Sequence, residues 1–355
     1  MQVERIAGRR VTLVGVRDGQ SRGRLLLLRT ATAAALAFAA GVCAASAGAQ
    51  PKPHVLLGAW VNPGSGWTRD GVLDVERRLG RKLAIDHHYY VWPTVSYWGS
   101  RFPSPDEYWD KRSGRLPLVS WGGTPDQFWP SLRDIASGAE DDVFRARAAA
   151  MRAYGGPILF RPMYEMNGDW FPWSGTANNS PGRTDGPALF VAAWRHMHDV
   201  FEQAGARNVL WVWSPNDRDY PGTAWNHWTN YYPGDAYVDW VGVDGYNWGG
   251  DQWVSFAYIF GGARSVYRDF VHRKPIMIAE TGSVAADGTR TRPDWLRETG
   301  AAIRRRFPGI RAFVYFSSNA ERDWRLTTGS SLAAFAQLAK DPYFSATCRL
   351  LACLR

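Results

Sequence analysis

Eight short apolar segments recur along this chain, at residues 55–61, 83–92, 116–121, 157–163, 208–213, 238–243, 275–279 and 310–316. Each is about as long as a buried strand, and several are separated by runs with helical spacing. Leu189, Phe190, Ala193, Trp194, Met197, Val200 and Phe201 mark one face of a helix that Gly205 stops. Pro293 opens another, with Trp295, Leu296, Thr299 and Ile303 on one side. A third runs from Phe256 to Phe270 across a possible break at Gly261-Gly262, and residues 142–154 and 71–79 supply two more. Strand–helix alternation repeated eight times predicts an α/β chain folded as a (β/α)8 TIM barrel over residues 50–355. The connection at residues 101–114 has two prolines and little periodicity, which predicts a long loop.

Two carboxylates end apolar segments on this map. Glu165 follows the fourth, in the run Arg161-Pro162-Met163-Tyr164-Glu165-Met166-Asn167-Gly168-Asp169-Trp170, and Glu280 closes the seventh. In such a barrel the reacting groups sit at the C-terminal ends of the strands. Two acids there, amid aromatic rings, are what glycoside hydrolysis requires. One protonates the leaving oxygen while the other attacks or stabilises the sugar cation. Nineteen tryptophans point the same way, since pyranose rings stack on flat aromatic faces.

Residues 1–49 read differently. Seven arginines precede an apolar run from Thr30 to Val42, and Ala47-Gly48-Ala49 offers a small-residue cleavage site. This pattern predicts a secretory signal peptide, its apolar run too short to span a bilayer. The segment carries seven Arg against Glu4 and Asp18, so the rest of the chain keeps about +4 of the formal +9. With no Lys/Arg block after residue 49, nothing calls for a nucleic-acid partner. A secreted, extracellular monomer without stable membrane insertion is expected, with polysaccharide as its partner and a disulfide between Cys348 and Cys353.

The motifs Arg161–Gly168, Trp211-Val212-Trp213-Ser214-Pro215-Asn216, Tyr232-Pro233-Gly234-Asp235, Val241-Gly242-Val243-Asp244-Gly245-Tyr246 and Ile278-Ala279-Glu280-Thr281-Gly282, in this order, resemble glycoside hydrolase family 26. The resemblance runs from Gly58-Ala59-Trp60 to Asp323-Trp324-Arg325. It implies a retaining endo-β-glycanase acting on β-1,4-mannan, with Glu165 as acid/base and Glu280 as nucleophile. It further implies that Tyr246 hydrogen-bonds the nucleophile and that Trp170 lies against the sugar being cleaved. One position departs: the family's mannanases place His before the acid/base, and this chain has Tyr164. Mixed-linkage β-glucan and β-1,3-xylan are also substrates in the family, so the sugar stays open.

Beside these, Arg161 is a candidate to hold a carboxylate by bidentate hydrogen bonding. Asp244, at the end of the sixth segment, is a candidate to position Tyr246 or bind a hydroxyl. Trp121, Trp173, Trp213 and Trp248 lie at or just after segment ends and are candidate stacking platforms, whereas Trp194 and Trp295 on helix faces read as structural. Alternation sends one of His87 and His88 inward and the other out. No metal and no organic cofactor is required. The rival functions are a carbohydrate-binding protein without turnover and a metal-dependent deacetylase using Asp86-His87-His88.

Overall fold

The computed structural model describes residues 54–62, 68–93, 95–96, 102–122, 128–326, 329–348 and 354. The expected signal peptide at residues 1–49 lies outside them.

Eight parallel strands form a closed barrel: β1 (Leu56–Val61), β2 (Ile85–Val91), β3 (Leu116–Trp121), β4 (Ile158–Pro162), β5 (Val209–Trp213), β6 (Trp240–Asn247), β7 (Ile276–Ser283) and β8 (Ile310–Ser317). Closure comes from β1, which pairs with β8 from Leu56↔Ala312 to Val61↔Ser317 and with β2 at Gly58↔Ile85. The (β/α)8 TIM barrel expected from the alternation is therefore the architecture observed. Leu118, Leu159, Leu210, Met277 and Val314 fill the barrel's interior. Val119, Phe160, Trp211, Ile278 and Phe313 point the other way, into the layer between strands and helices.

Helices span Thr68–Leu79, Asp141–Tyr154, Gly186–Gln203 and Arg292–Arg306, as the spacing predicts. The glycine pair does break the third run, which becomes Phe256–Gly261 and Val266–Phe270.

The loop expected at residues 101–114 is instead a helix over Pro105–Ser113. Its start is a capping box: Ser104 Oγ accepts from the Asp106 N–H at 3.1 Å, and Glu107 Oε2 accepts from the Ser104 N–H at 2.6 Å. Gly114, at φ 77°, ends it in the left-handed conformation. Hydrophobic periodicity missed this helix because its inner face buries Asp106, Glu107 and Asp110 instead of apolar side chains.

Cys348 is disulfide-bonded, and its expected partner Cys353 lies outside the described residues. No helix among the described residues is long and apolar enough to cross a membrane.

Candidate active site

The strands' C-terminal ends open into a cleft of about 660 Å³ lined by both Glu165 and Glu280, together with Trp60, Tyr89, Trp170, Tyr246 and Trp248. The two acids arrive by different backbone devices. After β4 the chain enters the left-handed region twice, at Met163 (φ 46°) and Glu165 (φ 53°). Such a conformation costs a non-glycine residue on the order of 1–2 kcal/mol. Here it is offset by anchoring: the Glu165 N–H donates to Ser214 O at 2.7 Å, and its carbonyl accepts from Gly168 N–H at 2.9 Å. Gly168 is required by a close approach. A Cβ there would stand 2.6 Å from the Trp170 ring, which folds back over the turn to reach Glu165.

Glu280 depends on an irregularity in β7. Val243 pairs with Ile278 but Asp244 pairs with Glu280, so Ala279 is an extra residue in the ladder. On strict alternation Glu280 would share the outward face of Ile278. The shift turns it into the cleft, as bulges beside active sites do.

Once there, Glu280 receives three donors. Tyr246 Oη donates to Oε1 at 2.5 Å, while Tyr89 Oη and Arg161 Nη2 donate to Oε2 at 2.5 and 2.7 Å. Burial and the neighbouring Glu280 charge push both phenols well above the usual tyrosine range, so each stays protonated and remains a donor. Trp324 stacks at a tilt on Tyr246, ring centres 4.8 Å apart, and limits its movement.

Among the described residues the Glu165 carboxylate has one donor, Trp170 Nε1, at 2.8 Å to Oε2. Burial raises its pKa well above the ordinary glutamate value, and the charges of Asp244 and Glu280 raise it further. One carboxyl is thus held by three donors and the other is pushed toward its neutral form, the separation that acid/base division of labour needs.

The remaining candidates sort by exposure. Arg161 is fully buried under the cleft floor and does not line it. Its guanidinium bridges Glu280 and Asp244, with Nη1 at 2.7 Å from Asp244 Oδ2 and Nε donating to Ser120 Oγ at 2.7 Å. Burial works against its charge, but Asp244 and Glu280 more than compensate and keep it protonated. Asp244 is equally buried; its Oδ1 accepts from Ser214 Oγ at 3.1 Å. Both therefore act on the carboxylates from behind, and neither offers a free edge to a sugar.

Tyr164 lines the cleft at 5% exposure, its ring under the Arg161 guanidinium at 4.3 Å. Trp170 is half-buried and Trp248 is 40% exposed, so both keep a face to the cleft. Trp121, Trp173 and Trp213 are corrections to the expected platforms. All three are completely buried in the aromatic layer outside the barrel, where a ring has no face left for a sugar. Trp194 and Trp295 are structural as expected, each donating its indole N–H to a backbone carbonyl at 3.0 Å.

Asn167 is a clamp between loops. Its amide nitrogen donates to Asn216 O at 3.0 Å and Asp219 Oδ1 at 2.9 Å, and its oxygen accepts from the Asn216 N–H at 2.9 Å. Alternation along β2 turns His87 inward to Ser120 Oγ at 2.7 Å and His88 outward. The Asp86-His87-His88 triplet of the deacetylase reading is thus split across the strand, and none of the three lines the cleft.

Sequence reasoning missed Tyr89, Ser120 and Asp217. Tyr89 was findable, since it lies two residues beyond the inward His87 and shares its face. Asp217 lines the cleft, and burial pushes its pKa up to about 7.

A pH test follows from the Trp170 contact. Its N–H stabilises ionised Glu165, so Trp170→Phe removes a lowering influence and the Glu165 pKa rises further. If Glu165 must enter the reaction protonated, the basic limb of kcat/KM moves to higher pH in the variant. A limb that stays in place or moves down separates Glu165 from that limb.

Comparison with known proteins agrees with this fold. Residues 142–341 match the family model described as glycosyl hydrolase family 26. Endoglucanase H of Acetivibrio thermocellus is 35% identical over 79% of this chain and 30% of its own length. A mannan endo-1,4-beta-mannosidase of Bacillus subtilis is 30% identical over 46% of this chain and 40% of its own. The chain thus spans less than half the length of these curated relatives. Among solved structures, a Cellulomonas fimi endo-beta-1,4-mannanase double mutant superimposes with a TM-score of 0.59 at 20% identity, covering 82% of this chain and 71% of that one. A Bacillus subtilis mannanase gives 0.57 at 23%, covering 83% and 87%. These likenesses show the same fold, and the family match covers more than half of the sequence: the chain belongs to glycosyl hydrolase family 26.

Proposed function

We propose that this protein is an exported, retaining endo-β-glycanase that cleaves β-1,4 bonds between hexopyranose units, with mannan as substrate. In the first step Glu280 attacks the anomeric carbon while Glu165 gives its proton to the departing glycosidic oxygen, leaving a glycosyl ester on Glu280. In the second, Glu165, now ionised, takes a proton from water as that water attacks the same carbon and frees Glu280. Arg161, Tyr89 and Tyr246 keep Glu280 aimed through their three hydrogen bonds. The observation that carries the reading is the asymmetry of the pair: three donors on Glu280, against one donor and a raised pKa on Glu165. Export rests on the signal-like residues 1–49.

A second substrate reading, β-glucan, is favoured by two observations. Tyr164 stands where the family's mannanases have His, and the relative matching the largest share of this chain among the curated ones described above is named an endoglucanase. The test is reducing-sugar release from mannan, glucomannan, mixed-linkage glucan and β-1,3-xylan, with product sizing. Oligomers from mannan and glucomannan support the mannan reading. Release from mixed-linkage glucan alone moves the assignment to β-glucan. Binding without release by the wild type leaves a non-catalytic carbohydrate-binding protein.

A further inference from the structure

Behind the barrel wall, away from the cleft, three buried side chains converge from two elements. Asp86 and His88 project from the outer face of β2, and Asp110 comes from the Pro105–Ser113 helix. Each offers a ligand atom, and these atoms all lie within 4.8 Å of one another. His88 Nε2 is 2.8 Å from Asp110 Oδ2 and 3.7 Å from Asp86 Oδ2. Ligands about 2.1 Å from a tetrahedral ion stand roughly 3.4 Å apart, between these two spacings.

Asp86 is the unexplained member. It is 1% exposed, yet among the described residues neither of its oxygens has a hydrogen-bond partner, and Asp110 Oδ1 has none either. A buried carboxylate without a hydrogen bond costs several kcal/mol, and the His88 contact at 3.7 Å is too long to supply one. The nearby Arg115 guanidinium spends its Nε and Nη2 on Glu76 at 2.9 and 2.5 Å, and its buried Nη1 reaches neither Asp86 nor Asp110 by a hydrogen bond. On the far side of the imidazole, His88 Nδ1 lies 3.5 Å from Glu107 Oε1. Glu107 is itself fixed by Tyr90 Oη and the Ser104 N–H, each at 2.6 Å. A carboxylate behind a histidine is the arrangement that fixes the tautomer presenting Nε2 to a metal.

We propose that Asp86, His88 and Asp110 form a structural site for one divalent transition ion of the Zn²⁺ type, pinning the Pro105–Ser113 helix to β2. One imidazole nitrogen with two carboxylates suits such an ion better than Mg²⁺ or Ca²⁺, which take oxygen ligands almost exclusively. With the ion bound, which requires a neutral imidazole, the two carboxylates leave two negative charges for the cation to neutralise. The site explains why this helix has an acidic inner face. Burial of the cluster and its distance from the cleft give the ion no contact with substrate.

The test is metal content and thermal response of the purified protein. Elemental analysis after growth with added Zn²⁺ is expected to find about one equivalent per chain. Protein unfolded and refolded with EDTA is expected to melt several degrees lower than protein refolded with Zn²⁺. Asp86→Asn is expected to lose both the metal and the Zn²⁺ response, and to melt below the Zn²⁺-refolded wild type. The alternative is a proton shared between the Asp86 and Asp110 carboxyls. It predicts negligible metal, identical melting under both refolding conditions, and an Asp86→Asn variant as stable as wild type or more so. Those results overturn the proposal. If the variant does not fold, the wild-type metal count and refolding comparison decide alone.

Discussion

Glu280→Ala is expected to lose activity on the order of 10⁴-fold or more in kcat, about 5 kcal/mol or more of transition-state stabilisation. The loss follows from its place in the structure. Among the described residues no other carboxylate in the cleft is held by Arg161, Tyr89 and Tyr246 together, so none of them stands ready to replace it. The fold is expected to survive, because Asp244 still pairs with Arg161 at 2.7 Å and the side chain removed is small. Azide, small enough to enter the vacated space, is expected to restore turnover and to yield the glycosyl azide of opposite anomeric configuration. Steady-state kinetics with thermal melting as the folding control check this. Activity within tenfold of wild type would remove Glu280 from the mechanism.

Arg161→Met is expected to act on the whole molecule. The guanidinium is fully buried and neutralises two carboxylates at once, Asp244 and Glu280, while also donating to Ser120. Methionine fills much of the volume but leaves Asp244 as a charge in the barrel with only the Ser214 hydroxyl left to satisfy it. Breaking a buried pair in this way costs about 3–5 kcal/mol. Activity is expected to collapse as well, since Glu280 loses one of its three donors, the one that carries a positive charge. Denaturant unfolding measures the first effect. The double variant Arg161→Met/Asp244→Asn is expected to recover part of the stability by removing the stranded charge, without recovering activity. A single variant as stable as wild type would mean that the Arg161 bridge contributes little.

The barrel was legible because its physics is local. Parallel strands covered on both faces read as short apolar runs, and all eight appear as such. The Gly186–Gln203 helix declared itself through one apolar face and a glycine stop. The helix at Pro105–Ser113 did not, because periodicity registers apolar burial and this helix buries acids; only its Ser104/Glu107 capping box signalled it. Glu280 illustrates a different limit. Its position at a strand end was readable, but its direction depends on the extra residue at Ala279, which is a property of pairing with β6 and leaves no mark in β7 alone. Trp121 and Trp173 show the converse. Tryptophan at a strand end reads equally well as a platform or as packing, and only the tertiary structure seals them among Trp129 and other rings.

The anomer first released tests the central claim most directly. Proton NMR of a β-linked substrate during the first minutes of hydrolysis, before mutarotation, distinguishes the two outcomes. Attack by Glu280 followed by water on the opposite face predicts that the β-anomer appears first. First appearance of the α-anomer would mean a single displacement by water, and would contradict the assignment of Glu280 as a nucleophile.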